Sequence, residues 1–269
     1  MNTALAPFLN ESFSLRDRTV VFVANDGLYD ASLPESLIAA GATVVLAGRD
    51  LKELEREARG LSPKQSGAIF LDSTRRQSCR EALATVIRRH GRVDVLVNTL
   101  NAPGPQALAR EPMSRANEPG LDAWQLGLSL GLAQAFFPSE VFGTQMSRTG
   151  GGAIVNVATD AVASTRAELV DLALTTRYLA EYFADASVRV NALLRGSVGA
   201  GERFPAFVSR YSELFPLLRM ARTEEAITAL LYLAAEASEH VTGRTLMLDA
   251  SSEPLALGQL FASNDRQRS

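Results

Sequence analysis

The stretch V23-A-N-D-G-L-Y-D-A-S-L-P-E35 lies between an apolar run, T19-V-V-F-V, and a helical pattern that ends in A39-A-G-A-T-V-V-L-A-G-R49. A loop leading from a strand into a helix is where nucleotide-binding chains carry clustered glycines. Those glycines let the backbone close on a pyrophosphate and leave helix N–H groups free to bind it. This loop has one glycine, Gly27, and two acids, Asp26 and Asp30, whose charges would face a dianion. S32-L-P-E35 has the spacing of a capping box, with Ser32 accepting from the backbone, Glu35 reaching back and Pro34 tolerated in the first turn. The helix is expected to satisfy its own donors.

Other groups capable of chemistry are sparse. His90 in R88-R-H-G-R and His240 in E239-H-V-T-G fall at the ends of different elements, and Cys79 is the single cysteine. Neither a metal cluster nor a Ser-His arrangement is supported. A lone cysteine also excludes a disulfide framework and fits a reducing, cytoplasmic setting.

With 269 residues, 46% hydrophobic side chains and a mean hydropathy of +0.03, the chain can bury one large core. A net charge of -3 and a pI near 5.6 give no basic field for nucleic acid. No apolar run reaches the roughly 20 residues of a membrane helix, and no charged segment followed by a long apolar one marks export.

The elements that must position any site alternate. Short β-branched runs at T19-V-V-F-V, T43-V-V-L-A, A68-I-F-L, V93-D-V-L-V-N, A153-I-V-N-V-A, V188-R-V-N-A-L and T245-L-M-L-D read as strands covered on both faces. Helical patterns lie at 32–40, 51–59, 76–89, 122–146, 166–185 and 223–236. This predicts an α/β, doubly wound, Rossmann-like parallel sheet of seven strands in a single domain. A polar lead-in precedes it (1–14), the domain spans 15–252, and a tail (253–269) follows. The Pro- and Gly-rich stretch from Asn101 to Gly120 reads as a loop.

D94-V-L-V-N, G151-G-A-I-V-N-V-A-T, V188-R-V-N-A-L-L-R-G and H240-V-T-G-R-T-L-M-L-D occur in that order, at spacings similar to those of the short-chain dehydrogenase/reductase family. The resemblance covers about residues 15 to 252. It places the family's three loop glycines at Ala24, Leu28 and Asp30, its catalytic Asn near Gly131, its Ser at Thr159, and its Tyr and Lys at Thr165 and Leu169. The family's chemistry needs a Tyr proton donor with a pKa lowered by Lys, and a Ser holding the substrate oxygen. Thr159 can hydrogen-bond but cannot ionise usefully alone.

The resemblance therefore implies a chain without a catalytic residue and without its own cofactor. Arg49, where some relatives read a ribose phosphate, and Asp72, matching an adenine-contacting aspartate, are weak remnants with an equally structural reading, such as capping the next helix. Arg195 replaces the proline after strand six; it could bind a carboxylate or phosphate, or form a surface ion pair. Tyr29 or Leu28 could instead fill the nicotinamide side, as aromatics do in cofactor-free halohydrin dehalogenases of the superfamily.

The helices at 122–146 and 166–185 form the usual dimer face in this family. They keep apolar faces here: Leu126, Leu128, Leu130, Leu132, Phe136 and Phe137 on one, and Leu169, Leu172, Leu174, Leu179 and Phe183 on the other. The expectation is an inactive subunit that joins a homologous active subunit in an α2β2 heterotetramer, with NAD(H) held only by that partner. Hydroxyacyl-CoA dehydrogenases of anaerobic aromatic degradation provide the precedent. The alternatives are a cofactor-independent lyase, cyclase or dehalogenase using Thr159, Asp160 or Arg195, and a sensor that binds without turnover.

Overall fold

The computed structural model describes residues 5–25, 29–100, 121–159, 166–195 and 222–248. Its strands are β1 (Thr19–Val23), β2 (Thr43–Gly48), β3 (Ser66–Phe70), β4 (Val95–Leu100), β5 (Gly152–Thr159), β6 (Val188–Arg195) and β7 (Thr245–Leu248). All seven run parallel in one sheet of order β3-β2-β1-β4-β5-β6-β7. The helices are α1 (Leu5–Ser12), α2 (Ser32–Ala39), α3 (Leu51–Leu61), α4 (Arg76–His90), α5 (Leu121–Arg148), α6 (Arg166–Tyr182) and α7 (Thr223–Ala234). Strand order reverses between β1 and β4, and in open sheets of this type the crevice at that reversal is where ligands bind.

The continuous apolar runs of β1, β2, β4, β5 and β6 follow from burial on both faces, whereas the edge strands β3 and β7, expected to be covered likewise, are only partly buried and leave Phe70 and Met247 exposed. In β1, Val20 and Phe22 join a core with Leu33 and Leu37 of α2, Leu54 of α3 and Leu230 of α7. Val21 and Val23 point the other way, into a core with Val86 of α4, Phe142 and Met146 of α5 and Leu179 of α6. The alternation is the period of two of a pleated strand.

Three expectations need correction. The lead-in is not merely polar, because Leu5–Ser12 forms α1, which buries none of its residues and leaves Leu5, Phe8 and Leu9 exposed. Apolar residues pointing to solvent carry no core-facing pattern to read. The apolar stripe of α6 does not all face outward: Leu172, Leu179 and Phe183 are buried within the chain. Leu174, Tyr178 and Tyr182, spaced four apart, are the exposed ones, at 60%, 57% and 61%. Periodicity finds a stripe, but only packing tells which stripe meets the sheet. Lastly, α2 is not opened by a Ser32 cap, as described below.

Candidate functional site

The site is built where β1, β4, β5 and β6 end. Asp30, in the turn before α2, gathers four donors. Its Oδ1 accepts the backbone N–H of Ser32 at 3.1 Å and the Ser32 hydroxyl at 2.6 Å. Its Oδ2 accepts the Arg195 Nη2 at 3.3 Å and the hydroxyl of Thr223, first residue of α7, at 3.2 Å. Burial pushes the Asp30 carboxyl up, and the Ser32 hydroxyl and N–H, Arg195 and Thr223 outweigh it, holding it below the ordinary value.

This arrangement replaces the expected capping box. The residue before α2, Ala31, has helical backbone angles and makes no side-chain cap, and the Ser32 hydroxyl donates to Asp30 instead of accepting from the helix. A carboxylate two residues back is the stronger partner, and closes an Asx-type turn. Arg195 is likewise no surface group. Its side chain is only 7% exposed, and its Nε finds no acceptor among the described residues.

Asn25 forms a second knot that the sequence motifs do not announce. Its N–H donates to Thr99 Oγ1 at 3.2 Å and its Nδ2 to the Thr99 carbonyl at 2.6 Å. Ser73 Oγ donates to Asn25 Oδ1 at 2.7 Å, and Thr99 Oγ1 donates to the Val23 carbonyl at 2.8 Å. Buried side chains thus join the tips of β1 and β4 to the turn after β3, across the switch point. The only signal in the sequence is a polar residue at or just beyond the end of each of those apolar runs. Beside it, a Cβ on Gly48 would lie 2.6 Å from the Ala24 carbonyl, so the chain leaving β1 presses directly on β2.

Tyr29 belongs to the core, not to a nicotinamide-side pocket. Its ring centroid is 5.1 Å from that of Phe22, and its hydroxyl donates to Glu57 of α3. Burial first, then the Glu57 carboxylate, raises its pKa above the ordinary tyrosine value. Asp26, Leu28, Asp160 and Thr165 lie outside the described residues, and Thr159 and Leu169 are described by backbone alone.

The remaining candidates are dispersed. Thr159 is the register partner of Arg195, so those two strand ends are adjacent. Gly131 lies in α5, where a Cβ would meet nothing within 4 Å. Asp72 Oδ1 accepts from the Thr74 N–H at 3.0 Å and hydroxyl at 2.6 Å, closing the turn between β3 and α4 without capping that helix. Arg49 is exposed after β2, and the cap of α3 is its neighbour Asp50, which accepts the Glu53 N–H at 3.0 Å. Among the described residues no cluster of His, Cys, Asp or Glu could hold a metal, and no helix is long and apolar enough to cross a membrane.

A groove of about 610 Å³ opens at the opposite, amino-terminal ends of the inner strands, lined in part by Arg18, Arg92, Asp94, Arg189 and Glu236. Its polar groups are engaged within the chain: Asp94 accepts from Arg18 at 3.4 Å, Arg92 at 2.5 Å and the Thr19 N–H at 2.8 Å, and Arg189 donates to the Leu233 and Ala235 carbonyls and to Ser238 Oγ.

A family model described as enoyl-(acyl carrier protein) reductase matches residues 32–250. The chain belongs to the short-chain dehydrogenase/reductase superfamily. It is 24% identical to an NAD-dependent glycerol dehydrogenase of Listeria innocua, covering 89% of this chain and 95% of the relative. It is 28% identical to the (2S)-[(R)-hydroxy(phenyl)methyl]succinyl-CoA dehydrogenase subunit BbsC of Thauera aromatica, covering 86% and 92%. The fold is that of a gluconate 5-dehydrogenase from Burkholderia cenocepacia, with a TM-score of 0.72, 21% identity and 90% and 97% coverage.

Proposed function

We propose that this chain is a non-catalytic subunit of a short-chain dehydrogenase/reductase complex, joined to a homologous active subunit that alone holds NAD(H), in an α2β2 heterotetramer. The observation that carries this reading is the Asp30 carboxylate, held by Ser32, Arg195 and Thr223 at a position where the family's loop needs a glycine. A dinucleotide does not fit these residues: its pyrophosphate would meet a fixed negative charge that already engages the local donors. The aligned Asn, Tyr and Lys positions, Gly131, Thr165 and Leu169, supply no group that ionises near neutral pH.

Two further observations support assembly. One similar protein, that of Thauera aromatica, is by name a subunit of a dehydrogenase of a hydroxy-substituted succinyl-CoA, which favours a hydroxyacyl-CoA oxidation for the complex. Leu174, Tyr178 and Tyr182 form an exposed apolar stripe along α6, and such a stripe favours a mating surface.

Calorimetric titration of the isolated chain with NAD and NADP tests the reading. No saturable binding tighter than about 100 μM, or roughly 5 kcal/mol, is expected. Co-expression with an intact homologue should yield one complex by light scattering, and a stable monomer that ignores the homologue would overturn the proposal.

The adjacency of Thr159 and Arg195 at the ends of β5 and β6 favours one second reading, a cofactor-independent enzyme. Thr159→Ala separates the two. As a non-catalytic subunit, the variant should leave the activity of the complex within a small factor. A loss of about 100-fold, or roughly 2.7 kcal/mol of barrier, would mean that this chain contributes a chemical group.

A further inference from the structure

The donors around Asp30 are those of an oxyanion site. They comprise the guanidinium of Arg195, the hydroxyls of Ser32 and Thr223, and the first backbone N–H of α2. Ser32 opens α2 and Thr223 opens α7, so the amino-terminal ends of two helices converge on one carboxylate. Helix starts, hydroxyls and an arginine fork are the groups that proteins direct at phosphate.

The carboxylate does not saturate them. Arg195 offers five N–H donors, its contact with Asp30 is a single bond at 3.3 Å, and its Nε has no acceptor among the described residues. The fork of Arg195, its side chain more than nine-tenths buried, is denied a two-bond pairing because Oδ1 is taken by Ser32 and Oδ2 is shared with Thr223. A tetrahedral anion presents more oxygens, in more directions.

We infer that Asp30, Ser32, Arg195 and Thr223 form a phosphate-type oxyanion site occupied by the chain's own carboxylate. Removing that carboxylate, without removing the four donors, leaves a site for phosphate or pyrophosphate. The inference rests on the reading that this chain holds no nucleotide, and it extends that reading by giving the absent anion a substitute in cis. One side chain then ties together the segment after β1, the end of β6 and the start of α7.

The test is thermal unfolding of Asp30→Ala with inorganic pyrophosphate as the probe, at constant ionic strength. Wild type should not respond. The variant should melt lower than wild type and recover about 3 °C when the probe exceeds its half-saturating concentration by about tenfold. The double variant Asp30→Ala, Arg195→Met should lose that recovery. A single variant no more responsive than the double one, or a wild type that responds equally, overturns the inference. If Asp30→Ala cannot hold its fold, refolding from urea with and without pyrophosphate replaces the melt: recovery only with the anion supports the site, and no recovery overturns it. A wild-type chain that binds NAD in calorimetry would defeat the subunit reading, while the comparison of single and double variants still reports on the donors.

Discussion

The ring of Phe183 lies against the backbone of Gly143, so that a Cβ on that glycine would stand 2.5 Å from the ring's Cζ. Phe183 is buried, with its ring edge-on to Tyr182 at 4.9 Å, and thus fills the seam between α5, the sheet and the end of α6. Gly143→Ala should gain up to about 1 kcal/mol of helix propensity and lose about 1–3 kcal/mol to overpacking. A net loss is expected in urea unfolding. Gly131→Ala, on the same helix but with open space around its Cβ, should stabilise by up to about 1 kcal/mol.

Assembly should depend on the outer stripe of α6 and not on its inner one. Leu174→Asp with Tyr182→Asp places charges on exposed positions, where substitutions change monomer stability by about 0.5 kcal/mol or less. Sedimentation should show a smaller species with an almost unchanged melting temperature. Phe183→Asp instead buries a charge inside the chain and should simply unfold it.

Acid should weaken the Asp30 cluster in a defined direction. The folded pKa of Asp30 lies below its unfolded value, so its contribution to stability is present in full above the ordinary aspartate value of about 3.9 and is lost as pH falls through the folded value. The difference in stability between wild type and Asp30→Asn should therefore stay constant from neutral pH to about 5 and shrink below the ordinary value. A difference that grew on acidification would contradict the assignment.

Asn25→Ala should be costly for a small truncation. It removes the amide that the buried Thr99 carbonyl and Ser73 hydroxyl bond to, at about 1–3 kcal/mol for each group left unsatisfied, while the backbone bond from residue 25 to Thr99 Oγ1 is kept. Chemical denaturation is the measurement, and a change below about 0.5 kcal/mol would show that other groups replace Asn25 readily.

The strands are legible in the sequence because burial on both faces leaves an uninterrupted apolar run, and T19-V-V-F-V or A153-I-V-N-V-A admits few other readings. The site is legible only as absences. Asp30 can be recognised as a charge in a loop that wants glycine, but beyond neighbouring Ser32 its partners Arg195 and Thr223 stand 165 and 193 residues further along the chain. No local pattern reports such a contact. Leu172 and Leu174 show the same limit on one helix: the same residue type two positions apart, one buried and one exposed.

Holding a negative charge on its own Asp30 side chain frees this site from mass action. A protein closed around a dissociable ligand gains stability that rises and falls with the ligand's free concentration. Here the negative charge is covalently attached, so its effective concentration at Arg195 is fixed by chain geometry and not by metabolite supply. The protein is expected to keep the same shape, and the same resistance to proteolysis, in starved cells and in fed ones.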